Sequence, residues 1–572
     1  MTNSSSNDAS QATIGYVVGG GLKENLRVRL TVDAQTVQEG GFVVIKSGNW
    51  QFYGLVTDLE LGSTDPRFAD EQSETRLSGE LARLLHGQTL YTNLEVLPAL
   101  MLECGPEPNS PDYLGWRAAH PADPRPLPVK TIPPHHAPVK LASQGDIAEI
   151  FGSPEGKGNF VIGYTREQGH PVCINLEKFV QRSSGVFGAT GTGKSFLTRI
   201  LLAGLMHADV AAVMVLDMHN EYGYNDTASD SGQTVIGLRT KFPSKVRMVG
   251  LGRGAQIRGN VPDFNLEIAM RDMTPADIEM LSRELNLRET TPTTLHALAQ
   301  SFGINWFQRF GELNREEVEI EDERGRPKRL PHPNSVAAWA FANGVNVMAA
   351  EGLQDKLRRL FDKPYIVEKP AADTVGEIIH SLEAGKHVIL SFGEFESDLD
   401  YLLVSNLLTR RIRDAWEQRT NAFRTTGKDE PRPLVIVVEE AHKLLNREMA
   451  AQTTFSTIAR ELRKYYVTLL IVDQRPSQIY DEVMSQLGTR ISGWLGDEDD
   501  IHAVLSGLAG REALRGMLAR LQPKEEVLLL GWGVPMPLPV KSRRYDEQFW
   551  RELLGSKSSK KSEGVILKEL GY

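Results

Sequence analysis

The sequence has few cysteines and no long apolar run. Only Cys104 and Cys173 occur among its 572 residues, far apart and without the spacing of metal ligands, so neither a disulfide framework nor a zinc site is predicted. Apolar runs such as Leu434 to Val438 are far shorter than the roughly 20 residues that a membrane-spanning helix needs. Residues 1–11 are polar and serine-rich. These features predict a cytoplasmic protein that is neither exported nor embedded in a membrane.

The sequence also lacks an excess of positive charge. Its formal net charge is -10, which excludes a surface that attracts nucleic acid over its whole area. A basic strip inside a channel is compatible with that total, because net charge does not report where charges lie. With 41% hydrophobic and 24% charged residues, the chain is predicted to fold into about two to four globular units.

Short β-rich stretches separated by glycines occupy the first part of the chain. They include Leu26 to Val32, Phe42 to Ile45 and Phe52 to Val56, and they predict a small antiparallel β-barrel. From Phe160 onward, mostly apolar runs alternate with helical segments, as expected of a mostly parallel sheet buried on both faces. The predicted fold is therefore an α/β core preceded by a small barrel.

The chain changes character again between about residues 265 and 373. The helix-start signal Thr274-Pro275-Ala276-Asp277 and the apolar residues that follow at helical spacing predict a helical insertion within the core. The charged run Glu316 to Arg329 predicts an exposed loop or hairpin there. In chain order the predicted segments are a disordered N-terminus (1–12), the barrel (13–145), the first part of the core (146–264), the helical insertion (265–373), the second part of the core (374–550) and a flexible tail (551–572).

A glycine-rich motif lies between an apolar strand and a helix. Residues 188–195, GATGTGKS, fit the pattern G-x-x-x-x-G-K-[ST], and the helix runs to His207. Glycines let backbone N–H groups approach phosphate oxygens, and the helix N-terminus favours negative charge. We therefore predict bound ATP, with Lys194 on its β- and γ-phosphates and Ser195 on Mg²⁺. The predicted nucleotide contacts are Gly188, Ala189, Thr190, Gly191, Thr192, Gly193, Lys194, Ser195 and Phe196.

A pair of acids follows the most apolar run. Leu434 to Val438 leads directly into Glu439 and Glu440. Nucleotide-hydrolysing motors need two carboxylates because there are two tasks: Glu439 would hold the metal through its water shell, and Glu440 would orient and deprotonate the attacking water. An acid-rich helix start is the alternative interpretation, but the upstream glycine-rich motif favours catalysis.

Polar residues follow two other apolar runs. Asp217 comes after Val213 to Leu216, and Gln474 comes after Leu469 to Val472. Because open parallel sheets bind ligands at the carboxyl ends of their strands, Asp217 is predicted to lie near the metal and Gln474 near the γ-phosphate. Ordinary loop chemistry is the alternative for both residues.

Two arginines are candidates for a role between subunits. Arg460 and Arg463 lie three residues apart on a predicted helix from Thr457 to Tyr465, and so share one face. In a ring of subunits they would project into the neighbour's ATP site and stabilise charge on the transferred phosphoryl group. A solvated basic face is an equally good explanation.

Together these motifs resemble the HerA-type ATPases. The stretches that carry the resemblance, in order, are Gly188 to Ser195, Leu216 to Tyr222, Val438 to His442, Ile458 to Lys464 and Gln474 to Gln478. The first part of the chain also resembles the HAS-barrel-like domain that this family places before a RecA-like core. Two residues depart from the family pattern: Leu462 replaces Gly, and Glu439 replaces Asp.

The resemblance implies a homo-hexameric ring that translocates on double-stranded DNA, in DNA end processing or anti-phage defence. It also implies a NurA-like nuclease or other effector docked on the barrel, and a segment from Gln522 to Tyr545 that braces a neighbouring subunit. The alternative is an ATPase scaffold that regulates a bound effector without processive translocation. A secretion or FtsK-like motor is a third possibility, disfavoured by the lack of a membrane segment.

Overall fold

The computed structural model describes most of the chain. It covers residues 12–22, 24–65, 80, 85, 89–106, 110–120, 125–227, 232, 234–321, 327–449, 455, 462–508 and 510–555. The predicted disordered N-terminus and most of the predicted tail lie outside these ranges.

The first strands form the predicted barrel. They are β1 (Gly15–Gly19), β2 (Leu26–Leu30), β3 (Phe42–Ser47), β4 (Trp50–Ser63), β5 (Leu90–Glu103), β6 (Leu127–Pro128) and β7 (Pro138–Leu141). The order β2-β1-β7-β3-β4-β5 closes on itself because β5 pairs with β2. Apolar side chains from alternate positions, such as Val17, Val28 and Val43, fill the interior. The closed six-stranded barrel confirms the prediction.

The remaining strands belong mostly to one large sheet. In chain order they are β8 (Asn159–Tyr164), β9 (Pro171–Asn175), β10 (Ser184–Phe187), β11 (Ala212–Asp217), β12 (Asp226–Thr227), β13 (Thr234–Val235), β14 (Val246–Leu251), β15 (Phe264–Leu266), β16 (Ile268–Ala269), β17 (Glu317–Glu321), β18 (Pro327–Pro331), β19 (Ile366–Val367), β20 (His387–Ser391), β21 (Leu434–Glu439), β22 (Val467–Asp473), β23 (Thr489–Ser492), β24 (Glu526–Gly531) and β25 (Leu538–Ser542). The sheet has the order β15-β14-β20-β11-β21-β22-β10-β23-β24-β25-β8-β9.

The parallel part of this sheet is the predicted mostly parallel α/β core. All pairings from β15 to β23 are parallel. Every residue of β11, β20, β21 and β22 is buried, which explains why their apolar runs are continuous rather than alternating. The pairings from β23 to β9 are antiparallel. This antiparallel edge was not predicted, since it joins segments from opposite ends of the core.

Helices cover both faces of the sheet and form the insertion. In chain order they are Tyr113–Ala119, Gln144–Phe151, Leu176–Phe179, Lys194–Ala208, Leu238–Lys241, Pro275–Glu279, Thr291–Phe302, Trp306–Glu312, Val336–Ala342, Val347–Phe361, Thr374–Glu383, Asp398–Thr426, His442–Leu445, Asp481–Gln486, Glu498–Leu505 and Arg511–Ala519, followed by a helical segment at 547–555. Within the described part of the chain, no helix combines the length and the apolar character needed to cross a membrane.

The insertion shares the hydrophobic core of the sheet. Thr274 caps its first helix through a reciprocal capping box with Asp277, as the sequence signal predicted. Trp306, Phe307 and Phe310 are buried in its centre. The charged run forms an exposed hairpin, because β17 and β18 pair antiparallel.

The barrel is joined to the core by polar and apolar contacts. Arg166 lies on the loop between β8 and β9, and it forms an ion pair with Glu526 of β24 at 2.9 Å. The same guanidinium donates to the backbone oxygen of Glu39 in the barrel. Tyr53 on β4 donates from its hydroxyl to Glu149 Oε2 at 2.7 Å. The barrel therefore packs directly against the ATPase core.

Candidate functional site

Four neighbouring strands end at the same edge of the sheet. In spatial order they are β10, β22, β21 and β11, all parallel. The glycine-rich loop follows β10, and Asp473 ends β22 with Gln474 directly after it. Glu439 and Glu440 lie at the end of β21, and Asp217 ends β11. Because parallel strands present their carboxyl ends together, residues far apart in sequence meet at this edge.

The loop after β10 (residues 188–195) has the backbone of a phosphate cradle. Gly193 adopts φ 93°, a conformation open to glycine with little cost. A Cβ at Gly188 would lie 2.6 Å from Thr192 Oγ1, so the loop closes too tightly for a larger residue there. The Thr192 hydroxyl donates to the Ala189 carbonyl at 2.7 Å, and Lys194 Nζ donates to the same oxygen at 3.0 Å. The lysine therefore lies folded over the loop.

A chain of hydrogen bonds joins the loop to the acid pair. The Thr190 hydroxyl donates to Gln474 Oε1 at 2.5 Å, and Gln474 Nε2 donates to Glu440 Oε2 at 3.1 Å. Gln474 reaches both groups because β22 lies between β10 and β21. The residue predicted to contact the γ-phosphate thus bridges the phosphate loop and the predicted base.

His442 and Asp473 hold the turn that carries Glu440. The His442 backbone N–H donates to Asp473 Oδ2 at 2.7 Å, and its ring Nδ1 lies 2.9 Å from the same oxygen. Burial disfavours the charged imidazole, but the bond to Asp473 and the charges of Asp473 and Glu440 outweigh it, so the pKa of His442 is raised. Glu440 itself adopts φ 46°, an uncommon left-handed backbone for a non-glycine residue.

Glu439 lies in a different environment from its neighbour. Its Oε1 accepts a hydrogen bond from the Tyr222 hydroxyl at 2.6 Å, and its Oε2 is buried without a partner in the described structure. Burial, followed by the charge of Asp217, raises the pKa of Glu439 well above its ordinary value. The Tyr222 bond acts in the opposite direction.

Asp217 organises the turn after β11. Its two oxygens accept the backbone N–H groups of Glu221 and Tyr222 at 2.8 and 3.0 Å. Burial raises the pKa of Asp217 to about 6, against the effect of these two bonds. Arg199, from the helix after the loop, donates to the Glu221 carbonyl at 2.5 Å. Asp217 thereby positions Tyr222, and Tyr222 positions Glu439.

The electrostatic setting of Lys194 matches that of a phosphate ligand. Burial lowers the pKa of Lys194, while Glu440 and Asp473 favour its charged form. Asp473 ends β22, the strand next to β10, and Glu440 follows β21, one strand further along the sheet, so the cation faces both carboxylates along the edge of the sheet. A polyphosphate placed between them would meet one cation, the loop amides and two acids suited to metal and water.

The structure brings together most of the predicted site residues, but it does not place the side chains of the two predicted arginines. Lys194, Ser195, Glu439, Glu440, Gln474 and Asp217 lie at the shared edge, as predicted. Arg460 lies outside the described residues, as does the Arg463 side chain, so their predicted role between subunits stays a prediction. Tyr222 and His442 were part of the quoted motifs but had no assigned role. In the sequence, the one sign of a role for these two residues was their position shortly after a predicted strand.

The chain is similar to several known proteins. The family model "Helicase HerA, central domain" matches residues 160–412. The DNA double-strand break repair helicase HerA of Sulfolobus acidocaldarius is 23% identical over 538 residues, covering 93% of this chain and 94% of the relative. That of Saccharolobus solfataricus is also 23% identical, over 552 residues, covering 95% and 94%. The solved structure of VirB4 of Thermoanaerobacter pseudethanolicus aligns at 15% identity with a TM-score of 0.39, covering 68% of this chain and 97% of that one.

The central-domain match contains the glycine-rich loop, Asp217 and Tyr222. The two archaeal relatives extend the alignment in both directions, over the barrel and over the strands that carry Glu440 and Gln474. The chain is an ATP-hydrolysing enzyme, and its sequence is similar to that of HerA helicases over most of its length.

Proposed function

We propose that the chain is an ATP-driven translocase of double-stranded DNA that works as a homo-hexameric ring. The observation that carries the proposal is the meeting of the phosphate loop, Gln474 and Glu440 at one edge of the sheet. It is supported by alignment along nearly the whole chain with DNA double-strand break repair helicases. DNA end processing or anti-phage defence is the proposed setting.

In this proposal ATP binds with its terminal phosphates on the loop amides and Lys194. Mg²⁺ neutralises charge on the phosphate oxygens when bound, and the Ser195 hydroxyl and Glu439 are the residues that would hold it. Glu439 fits this task because its buried Oε2 has no protein partner in the described structure, which leaves it able to accept a bond from a metal-bound water. Glu440 is then the base that removes a proton from the attacking water, and Gln474 contacts the γ-phosphate.

The proposed partners use other parts of the chain. The barrel, residues 13–145, is the proposed docking platform for a nuclease or defence effector. The segment from Gln522 to Tyr545 is the proposed brace against a neighbouring subunit, and Arg460 or Arg463 is the proposed arginine that acts on the neighbour's ATP. In the described structure the brace segment contributes β24 and β25 to the sheet of its own chain, so its neighbour would contact the outer side of these strands.

The proposal is tested by ATP turnover of the full chain with and without linear duplex DNA, at low and at moderate salt. We expect duplex to stimulate turnover and the stimulation to fall as salt rises, because phosphate contacts release counterions. The mass of the assembly is expected to be six times that of the chain. Turnover that responds to neither duplex nor salt would favour the effector-regulating scaffold instead.

Lys194→Ala is the matched site variant. It should abolish turnover in the presence and absence of DNA, whereas Lys157→Ala, which changes a lysine whose side chain is 94% exposed, should leave turnover unchanged. Normal turnover by the Lys194 variant would show that the phosphate site lies elsewhere.

A further inference from the structure

An exposed aromatic side chain lies directly beside the phosphate loop. Phe196 follows Ser195 in the first turn of the helix Lys194–Ala208 and is 37% exposed. The residues that follow it in the same helix, from Leu197 to Met206, are buried. An exposed ring at this point is unusual, because apolar surface in a helix that crosses the core normally faces inward.

The ring is backed by a rigid aromatic cluster. Phe196 contacts Tyr545 with ring centroids 6.4 Å apart, and Tyr545 in turn contacts Phe549 at 5.7 Å and Trp550 at 5.4 Å. We call Tyr545, Phe549 and Trp550 the aromatic wall. The Tyr545 hydroxyl donates to the Ile236 carbonyl at 2.6 Å, which fixes the wall against the core.

Two further residues, Arg199 and Lys524, lie near Phe196 and the phosphate loop. The Arg199 guanidinium lies 5.4 Å from the Phe196 ring centroid, one helical turn further along the helix. Lys524 adopts φ 67°, and its Cα would lie 3.6 Å from a Cβ at Gly193. The turn at Lys524 and the exposed ring of Phe196 therefore both lie close to the end of the loop.

The direction of a bound nucleotide follows from the loop. The terminal phosphates belong at Lys194 and Ser195, and the first amides of a helix have no partner within it. A polyphosphate that extends along these amides passes from Ser195 towards Phe196, so the ribose and base emerge next to the ring. Nucleobases have flat faces that stack on aromatic side chains.

We infer that Phe196 is the platform on which the base of the bound nucleotide stacks, with the aromatic wall as its support. The inference rests on the proposed phosphate site at Lys194. It assigns the ring an affinity role that does not depend on the identity of the base, since every base has a face that can stack. ATP and GTP should therefore lose affinity together when the ring is removed.

The test compares two ligands that differ in the base and ribose: ATP and inorganic tripolyphosphate, each titrated with Mg²⁺ into the full chain by calorimetry. Phe196→Leu keeps apolar bulk against Tyr545 but has no flat face. We expect it to weaken ATP binding by roughly 5- to 150-fold and to leave tripolyphosphate binding unchanged. Phe196→Tyr, which keeps the ring, should bind ATP as the wild type does.

Phe341→Ala is the matched control, because Phe341 is 86% exposed on the helical insertion, away from the loop. It should change neither affinity. If Phe196→Leu weakens the binding of ATP and of tripolyphosphate equally, the ring supports the loop rather than the base. If the affinity for ATP is unchanged, the base lies elsewhere. Either result overturns the inference.

Lys194→Ala separates this failure from failure of the phosphate site. It should weaken the binding of both ligands, because both carry the phosphates that the lysine binds. If it weakens neither, the phosphate site is wrong, whatever Phe196 does.

Discussion

Replacing Glu440 by glutamine removes the proposed base while keeping the local geometry. Glutamine has the same shape, so the left-handed backbone at φ 46° carries no additional strain. Its side-chain oxygen can still accept the 3.1 Å bond from Gln474 Nε2. The bond from Thr190 to Gln474 is likewise unaffected. The substitution therefore isolates proton removal from positioning.

The expected loss of turnover follows from the role of a general base. Such a group contributes about 10²- to 10⁴-fold to the rate, which corresponds to about 2.7–5.4 kcal/mol of activation free energy. Because Glu440 is not placed on the phosphates, the dissociation constant for ATP should change by less than about twofold. Steady-state turnover and equilibrium ATP binding, measured on the same preparation, separate the two quantities.

The neighbouring acid supplies the control. Glu439→Gln should raise the Mg²⁺ concentration needed for half-maximal turnover, since Glu439 is assigned to the metal. If Glu440→Gln lowers turnover by less than about tenfold, well under the range for a general base, Glu440 is not the base. If Glu439→Gln shows the larger loss at saturating Mg²⁺, the two assignments are reversed.

Three further substitutions test the surroundings of the site. Tyr222→Phe removes the donor to the buried Glu439 carboxylate and should cost about 1–3 kcal/mol, measured as a lower thermal midpoint; an unchanged midpoint would contradict the bond. Burial lowers the pKa of His387 to about 3, so its stabilising contribution is present above the unfolded pKa of about 6.5 and is lost as pH falls towards 3. His387→Leu should therefore resist acid better than the wild type, by about 2 kcal/mol at pH 5; identical pH dependence would refute this. Arg166→Ala leaves Glu526 unpaired at a contact where both side chains are about nine-tenths buried, should cost about 3–5 kcal/mol, and should expose the barrel–core junction to limited proteolysis; an unaltered cleavage pattern would argue against that ion pair.

The local parts of the site could be predicted from the sequence. The glycine-rich loop, the strand before it and the helix after it are contiguous, so composition and spacing were sufficient to place them. The strands that carry Asp217, Glu439 and Gln474 were also predictable, because strands buried on both faces read as continuous apolar runs. In β14 the apolar run is interrupted by Arg247. That strand forms nonetheless, with Arg247 donating to Glu377 at its partly exposed surface.

The contacts between these parts could not be predicted. Thr190 and Gln474 are 284 residues apart, and Tyr222 and Glu439 are 217 apart. Such pairs depend on the order of strands in the sheet, and that order is decided by tertiary packing rather than by any one segment. The antiparallel edge was missed for the same reason, because β25 pairs with β8 across almost the full length of the core.

The two adjacent glutamates differ because of where the backbone leaves the strand. In a continuing strand, Glu439 and Glu440 would point to opposite faces of the sheet. The sheet ends at Glu439, so that its side chain stays buried against Tyr222, while the left-handed backbone at Glu440 turns the second carboxylate along the edge towards Gln474. One acid is thereby held in a dry environment that disfavours its charge, and the other lies half-buried beside the phosphate loop, where water can reach it. Their different chemistry follows from burial and backbone direction, not from residue type, which is the same at both positions.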